Sequence, residues 1–291
     1  MQPQQKLLHG YLAALGTVAI WTGFIVISRL GGRSALTPYD ILALRLSTAS
    51  LLLLPFCRDL LPHLRDLRLW LLALVGGVAY GLLVYAGFKL TTAAHGAILL
   101  PGLQPFMVAG LLMVLFRQWP GRRLLIGLGG IAAGIACAAV PSFENGNSET
   151  ARGLIGDGLV LGSSLVWALY SILAKRWSFK PWLLTRFVAL GSTILFVPAY
   201  LLFLPKGIDQ VPMKMLVLQG LYQGIGPTIV AMVLFLRAVA ILGAQRTGAL
   251  IALVPVFAGL TAVPVLGEPL SVWLLLGLVL VSWGAFQAAR H

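Results

Sequence analysis

The chain is a succession of apolar runs, each long enough to cross a bilayer, joined by connections mostly too short to fold alone. A hydrocarbon core about 30 Å thick takes about twenty apolar residues of helix. Runs of this length begin near Gly10, Pro38, Leu69, Thr92, Arg122, Gly153, Pro181, Val211, Gly243 and Pro269. Of 291 residues, 59% are hydrophobic and 10% charged, whereas a soluble domain carries about 25% charged residues. Such a chain cannot cover a surface that faces water. Inside lipid every backbone N–H and C=O must be satisfied by the protein itself, which for runs of this length means helices. The expected architecture is an all-α polytopic membrane protein of ten spans. The 33 Gly and 16 Pro residues fit that setting, because neighbouring helices re-satisfy freed backbone groups.

The net charge of +13 would suggest nucleic acid in a soluble chain. Here the bases sit in short connections between apolar runs, with no interleaved aromatics, and read as topogenic charge. With the N-terminus inside, thirteen bases face the cytoplasm: Lys6, Arg58, Arg65, Arg68, Arg117, Arg122, Arg123, Lys175, Arg176, Lys180, Arg237, Arg246 and Arg290. Six face out: Arg29, Arg33, Lys89, Arg152, Lys206 and Lys214. Both termini are therefore expected inside, as an even number of spans requires. The first run is too long for a removable leader and reads as a span. Cys57 and Cys137 read as small hydrophobes rather than a disulfide or metal pair, and no motif for a cofactor or a metal is evident.

The second half repeats the first. At an offset of 150, Gly76 meets Gly226, Pro105 meets Pro255, Gly127 meets Gly277 and Gly134 meets Gly284. Earlier in each half Gly16 and Trp21 match Gly162 and Trp167 at 146, and Arg45 matches Arg186 at 141. The expected division is a five-helix repeat over 1–141, a flexible external linker over 142–152, and a second repeat over 153–291. An odd number of spans turns the second copy upside down, so the halves relate by an axis in the membrane plane, a common build of secondary transporters.

In these features the chain resembles the EamA-type exporters of the drug/metabolite transporter superfamily, over essentially its whole length. The resemblance is carried by the Trp21 region, the Arg45 region, Pro101 and Pro105 within the fourth span, Pro255 in the ninth, and Gly267-Glu268-Pro269 followed by Gly277 and Gly284. In the family pattern a Glu closes the fourth and ninth spans; Glu268 fits, whereas its first-half equivalent is Gln118. The resemblance implies ten helices around a central cavity and transport of amino acids or related metabolites, often outward.

Candidate substrate contacts follow from polar and aromatic groups inside spans. An Arg in a bilayer is costly and needs a reason. Arg45 lies seven residues after Pro38 and Arg186 five after Pro181, about 10 Å and 7 Å in from opposite faces by helical rise. Each either lines a vestibule that attracts a carboxylate or phosphate, or reaches headgroups or a neighbouring helix end. Trp21 and Trp167 sit mid-span, away from interfacial belts, as a pair flanking a cavity or as packing. Tyr80, Tyr85, Tyr170 and Tyr222 carry polar tips that can point inward. Gln104, Gln219 and Gln223 offer hydrogen bonds to a substrate or between helices. His95, whose repeat partner is Gln245, is the candidate proton-titrating group.

No Asp or Glu sits mid-span, so either facilitated diffusion or proton coupling through His95 is expected. Enzyme chemistry is disfavoured, because Ser163, Ser164, Ser171 and His95 show no carboxylate partner at useful spacing. The leading expectation is an exporter of a small amino-acid-like or carboxylated metabolite in a bacterial inner membrane, with lipid and the metabolite as partners, no nucleic acid, and a monomeric or homodimeric state. An exporter of an amino-acid-derived metallophore, an importer, and a lipid-carrier flippase or assembly subunit are the alternatives.

Overall fold

A computed structural model describes residues 3–145 and 148–289, with side chains omitted at Pro3, Lys6, 141–150, Ala244 and Gln245. The bases at Lys6 and Arg290, and the Gln245 side chain, lie outside what is described. Among the described residues all regular structure is helical. Nine helices have the length and apolarity of a span. They are α1 (Leu7–Gly32), α2 (Pro38–Phe56), α3 (Leu67–Leu90), α5 (Arg122–Val140), α6 (Ala151–Arg176), α7 (Pro181–Phe203), α8 (Met213–Leu242), α9 (Arg246–Leu266) and α10 (Val272–Ala289). The tenth, α4, is a bent pair, Ala93–Gly102 and Gln104–Phe116, meeting at 40°. The segment expected as a flexible linker is helical as far as Asn145 and again from Ser148; Gly146 and Asn147 lie outside the described residues.

Local chemistry sets several boundaries. Thr37 caps α2 in a capping box with Asp40, and Pro38 occupies the first turn, where its missing N–H costs nothing. The α4 bend falls one residue before Gln104-Pro105, and α9 is interrupted at Ala252–Leu253, just before Val254-Pro255. A proline removes an i→i−4 hydrogen bond and its ring clashes with the preceding turn, so each helix restarts there. Wider π turns interrupt α3 at Ala73–Ala79 and α8 at Gly226–Val230, again at matched places. α4 and α9 end alike, with Arg117 and Gly267 left-handed at φ 54° and 65°. Gln118 N–H donates to Leu112 O as Glu268 N–H donates to Ala262 O.

Packing follows the inverted two-fold. α1 lies on α8 as α3 lies on α6, α2 on α8 as α7 on α3, and α1 on α9 as α6 on α4. α5 with α10, α2 with α7, and α4 with α9 pair across the axis. The α5–α10 seam carries the symmetry at atomic detail. A Cβ on Gly127 would lie 2.7 Å from Gly284 O, and one on Gly277 would lie 2.8 Å from Gly134 O. Exchanging the halves turns each of these contacts into the other. Small residues let two backbones touch, which is how helices associate where lipid removes a hydrophobic driving force.

Gly134→Leu should therefore force α5 from α10 and lower thermal stability in detergent by about 1–3 kcal/mol, the range for overpacking. Gly129→Leu, on the same helix with open space around it, should leave the melting temperature unchanged.

Candidate transport site

A cavity of about 530 Å³ lies between the halves. Trp21, Phe24 and Ile25 of α1, Arg45 of α2, Tyr80 of α3, Gln104 of α4 and Trp167 of α6 form its middle. From there it runs along Val108 and Leu112 to Leu124, Gly248, Ala288 and Ala289. Those last residues stand at the helix ends on the face that carries both termini and most bases. Its wall is aromatic: Trp21 packs on Phe235 at 5.5 Å, Tyr80 on Trp167 at 4.9 Å, and Trp167 on Tyr170 at 5.0 Å.

Arg45 is the cationic group in this wall. Its Nε donates to Thr228 Oγ1 at 3.1 Å and its Nη1 to Tyr85 Oη at 3.3 Å. The guanidinium lies 5.6 Å from the Phe24 ring and 5.9 Å from the Tyr80 ring. No carboxylate pairs with it among the described residues. A chain of donors holds it in place: Tyr85 Oη donates to Gln223 Oε1, Gln223 Nε2 to Gln219 Oε1 and Ser28 Oγ, and Gln219 Nε2 to Ile27 O. Thr228 in turn donates to Gln223 O, the carbonyl whose helical donor Pro227 displaces. Gln104 accepts from Ser164 Oγ through Oε1, while its buried Nε2 has no partner.

The opposite end is closed. Arg29 Nε donates to Glu268 Oε1 at 3.1 Å and its Nη1 to Phe88 O and Lys89 O. Glu268 Oε2 accepts from Ala93 N at 2.8 Å, so the carboxylate sits on the positive end of α4. Arg33 reaches Leu266 O, and Lys89 Nζ donates to Leu36 O. His95 Nδ1 lies 2.9 Å from Asp157 Oδ2, and Thr91 donates to the same carboxylate. The cluster ties α1, α3, α4, α6 and α9 together where the outer connections gather.

Of the side chains singled out in the sequence, Trp21, Arg45, Tyr80, Gln104 and Trp167 thus meet at one cavity. Tyr85 and Gln223 stand behind Arg45, and Tyr170 backs Trp167. Three lie elsewhere. Tyr222 donates to Ile20 O and packs against Gly23. His95 belongs to the outer cluster and does have a carboxylate partner, contrary to expectation, because α6 brings Asp157 beside the start of α4. Arg186 does not line a vestibule. It donates to both oxygens of Asp59, at 2.6 and 2.9 Å, and to Phe56 O and Trp182 O, because the short helical turn Arg58–His63 folds Asp59 back under α7. Phe24, Phe235 and Thr228 went unnoticed; Phe235 is a lone aromatic in an aliphatic run, and only Arg45's unmet hydrogen-bonding need hinted at Thr228.

The sequence pattern of the EamA-like transporter family matches residues 8–140 and again 154–289. The chain belongs to the EamA-like transporter family. This EamA-like protein is 23% identical over 229 residues to the "Uncharacterized transporter YyaM" of Bacillus subtilis (strain 168), covering 75% of this chain and 71% of that one. A solved crystal structure superposes at TM-score 0.62 with 20% identity, covering 98% of this chain and 97% of the other; that likeness speaks to the fold. The EamA-like protein is therefore a multi-pass membrane transporter.

The Arg186 bond holds the Asp59 carboxyl below its ordinary range. A lowered folded value stabilises at pH above the unfolded value, and the benefit fades as pH falls through the folded one. Asp59→Asn should lower the melting temperature at neutral pH, and the gap to wild type should close in acid, read by thermal unfolding across pH.

Proposed function

We propose that this transporter exports a small carboxylated metabolite across a bacterial inner membrane by alternating access. The observation that carries the reading is the Arg45 guanidinium, set in mid-membrane beside an aromatic cavity and matched by no acid among the described residues. A charge in that position marks a substrate path, and a carboxylate entering the cavity would neutralise it through charge-assisted hydrogen bonds. Trp21, Phe24, Tyr80, Trp167 and Phe235 would take the apolar body of the same molecule.

In this reading the structure stands in its loading state, with the cavity reaching the basic, cytoplasmic face and Arg29–Glu268 sealing the outer one. The inverted repeat supplies the second state by exchanging the conformations of the halves. Residue correspondence then specifies the inner seal: Gln118 stands for Glu268, Lys175 for Arg29, and Gly243, just ahead of α9, for Ala93 at the start of α4. A neutral amide is a weaker partner for a helix N-terminus and a cation than a carboxylate is. The inward-facing state is accordingly the resting one.

In proteoliposomes Arg45→Gln should reduce uptake of aromatic carboxylates at least about tenfold, the usual cost of one lost charge-assisted contact, while Arg186→Gln should leave it unchanged. Equal losses in both variants would count against Arg45 as the substrate contact. Glu268→Ala should open the outer seal, so that a cysteine placed at Leu266 becomes labelled from outside; continued protection would count against the gate. Proton coupling enters this reading only through His95 and Asp157. Gradient-driven accumulation that persists in His95→Ala would exclude that route.

A further inference from the structure

We infer that the cavity selects organic monocarboxylates whose nitrogen is absent or blocked, such as 2-oxo acids and N-acylated amino acids, over free amino acids. The inference rests on the reading that the Arg45 cavity is the substrate site. It follows from where the acids of this chain are. The chain has eight Asp and Glu residues, and none of the described ones lines the cavity. Asp40 is taken by Tyr200 Oη, Thr37 N and Gly207 N. Asp59 serves Arg186, Asp66 serves Arg68, Asp157 serves His95 and Thr91, and Glu268 serves Arg29 and Ala93 N. Asp209 lies in the outer α7–α8 connection. Glu144 and Glu149 belong to the segment between the halves, whose side chains are not described.

Two side chains of the cavity wall bring donors instead, Arg45 and Gln104, with the Gln104 Nε2 lying beneath the accessible surface. Arg45 brings a positive charge, and Gln104 Nε2 is buried without an acceptor. A ligand that satisfies them must be rich in acceptors: a carboxylate for Arg45, and a carbonyl oxygen for Gln104. An α-ammonium would meet the opposite situation. It would lose water, sit beside a guanidinium, and find no counter-charge. Carbonyls freed at Pro101 and Pro105 could hydrogen-bond an ammonium, but a neutral dipole does not cancel a second positive charge. The Phe24 and Tyr80 faces already hold Arg45. Acylating the amine, or replacing it by a keto oxygen, removes the unmatched charge and adds the acceptor Gln104 lacks.

The test is equilibrium binding to the purified full-length protein in nanodiscs, followed by tryptophan fluorescence, since Trp21 and Trp167 line the cavity. N-acetylphenylalanine and phenylpyruvate should bind at least about tenfold more tightly than phenylalanine, and phenylalanine amide should not bind, as a site with unmatched buried charges discriminates strongly. Gln104→Leu should weaken N-acetylphenylalanine and phenylpyruvate about fivefold and leave phenylacetate, which has no second acceptor, unchanged. If phenylalanine binds as tightly as its N-acetyl form, and Arg45→Gln abolishes both, the selectivity is overturned and the Arg45 site stands. Binding of N-acetylphenylalanine that survives Arg45→Gln overturns the site itself, and failure of every acid to bind overturns both. The comparison between phenylalanine and its N-acetyl form needs only the wild-type protein, so a misfolded variant does not blunt it.

Discussion

A guanidinium in the middle of a bilayer is stable only if something replaces the water it has lost. For Arg45 the replacement is partial. Thr228 and Tyr85 each accept one hydrogen bond, and two rings offer their faces, but no described neighbour brings a negative charge. The consequences run outward from that deficit. Tyr85 accepts from Arg45 and must donate elsewhere, which fixes Gln223; Gln223 fixes Gln219 and Ser28; and α8 is thereby bound to α1 through polar contacts rather than by packing alone. The π turn Gly226–Val230 places Thr228 where Arg45 needs it, and such turns are frequent at functional sites because they redirect one side chain without ending the helix. In the proposed function these interactions hold the cavity open around an unmet charge and would preorganise it for an anion.

The inverted repeat imposes a second constraint. Two halves with matched breaks at Pro105 and Pro255, matched left-handed ends at Arg117 and Gly267, and mutual glycine contacts along α5 and α10 would, under the proposed alternating access, have two equivalent ways to pack. Only differences between the copies can favour one. One such difference is at the span ends, where Glu268 is a carboxylate and Gln118 an amide. The carboxylate gathers Arg29 and the α4 N-terminus into one cluster with little exposure, 16% for the Arg29 side chain and 8% for Glu268. At the other face Gln118 stays exposed, and the cavity extends between the helix ends. In the proposed alternating-access cycle near-symmetry would supply the two states, and the replaced acid would bias their balance.

The spans and the repeat were legible because each rests on a property of consecutive residues. Apolar length fixes a span, and Gly and Pro have effects strong enough to be kept in both copies. The breaks at Pro105 and Pro255 and the seam at Gly127, Gly134, Gly277 and Gly284 lie at positions that the offset of 150 already matched. Side-chain partners were another matter. His95 and Asp157 are 62 residues apart, Arg186 and Asp59 are 127 apart, and Arg29 and Glu268 are 239 apart. Nothing local in the sequence pairs them, so the sequence left both roles open for Arg186, and the structure places its side chain against Asp59. Tyr222, likewise plausible as a cavity residue, points instead at the α1 backbone where Gly23 makes room.

Why Arg45 and Arg186 diverged can be argued from two residues of helix. Both follow a proline that opens a helix, Arg186 by five residues and Arg45 by seven. At 1.5 Å per residue Arg45 therefore lies about 3 Å deeper. Arg186 is shallow enough for the α2–α3 connection to fold Asp59 beneath it and close two hydrogen bonds. The repeat places Asp209 in the corresponding α7–α8 connection, 150 residues after Asp59, yet Asp209 forms no ion pair among the described residues. The nearby Asp40 is already committed to Tyr200, Thr37 and Gly207. One more half-turn of α2 thus carries a guanidinium beyond the reach of the described acids near it. What is a structural anchor in the second half becomes, in the first, a charge still in need of a partner.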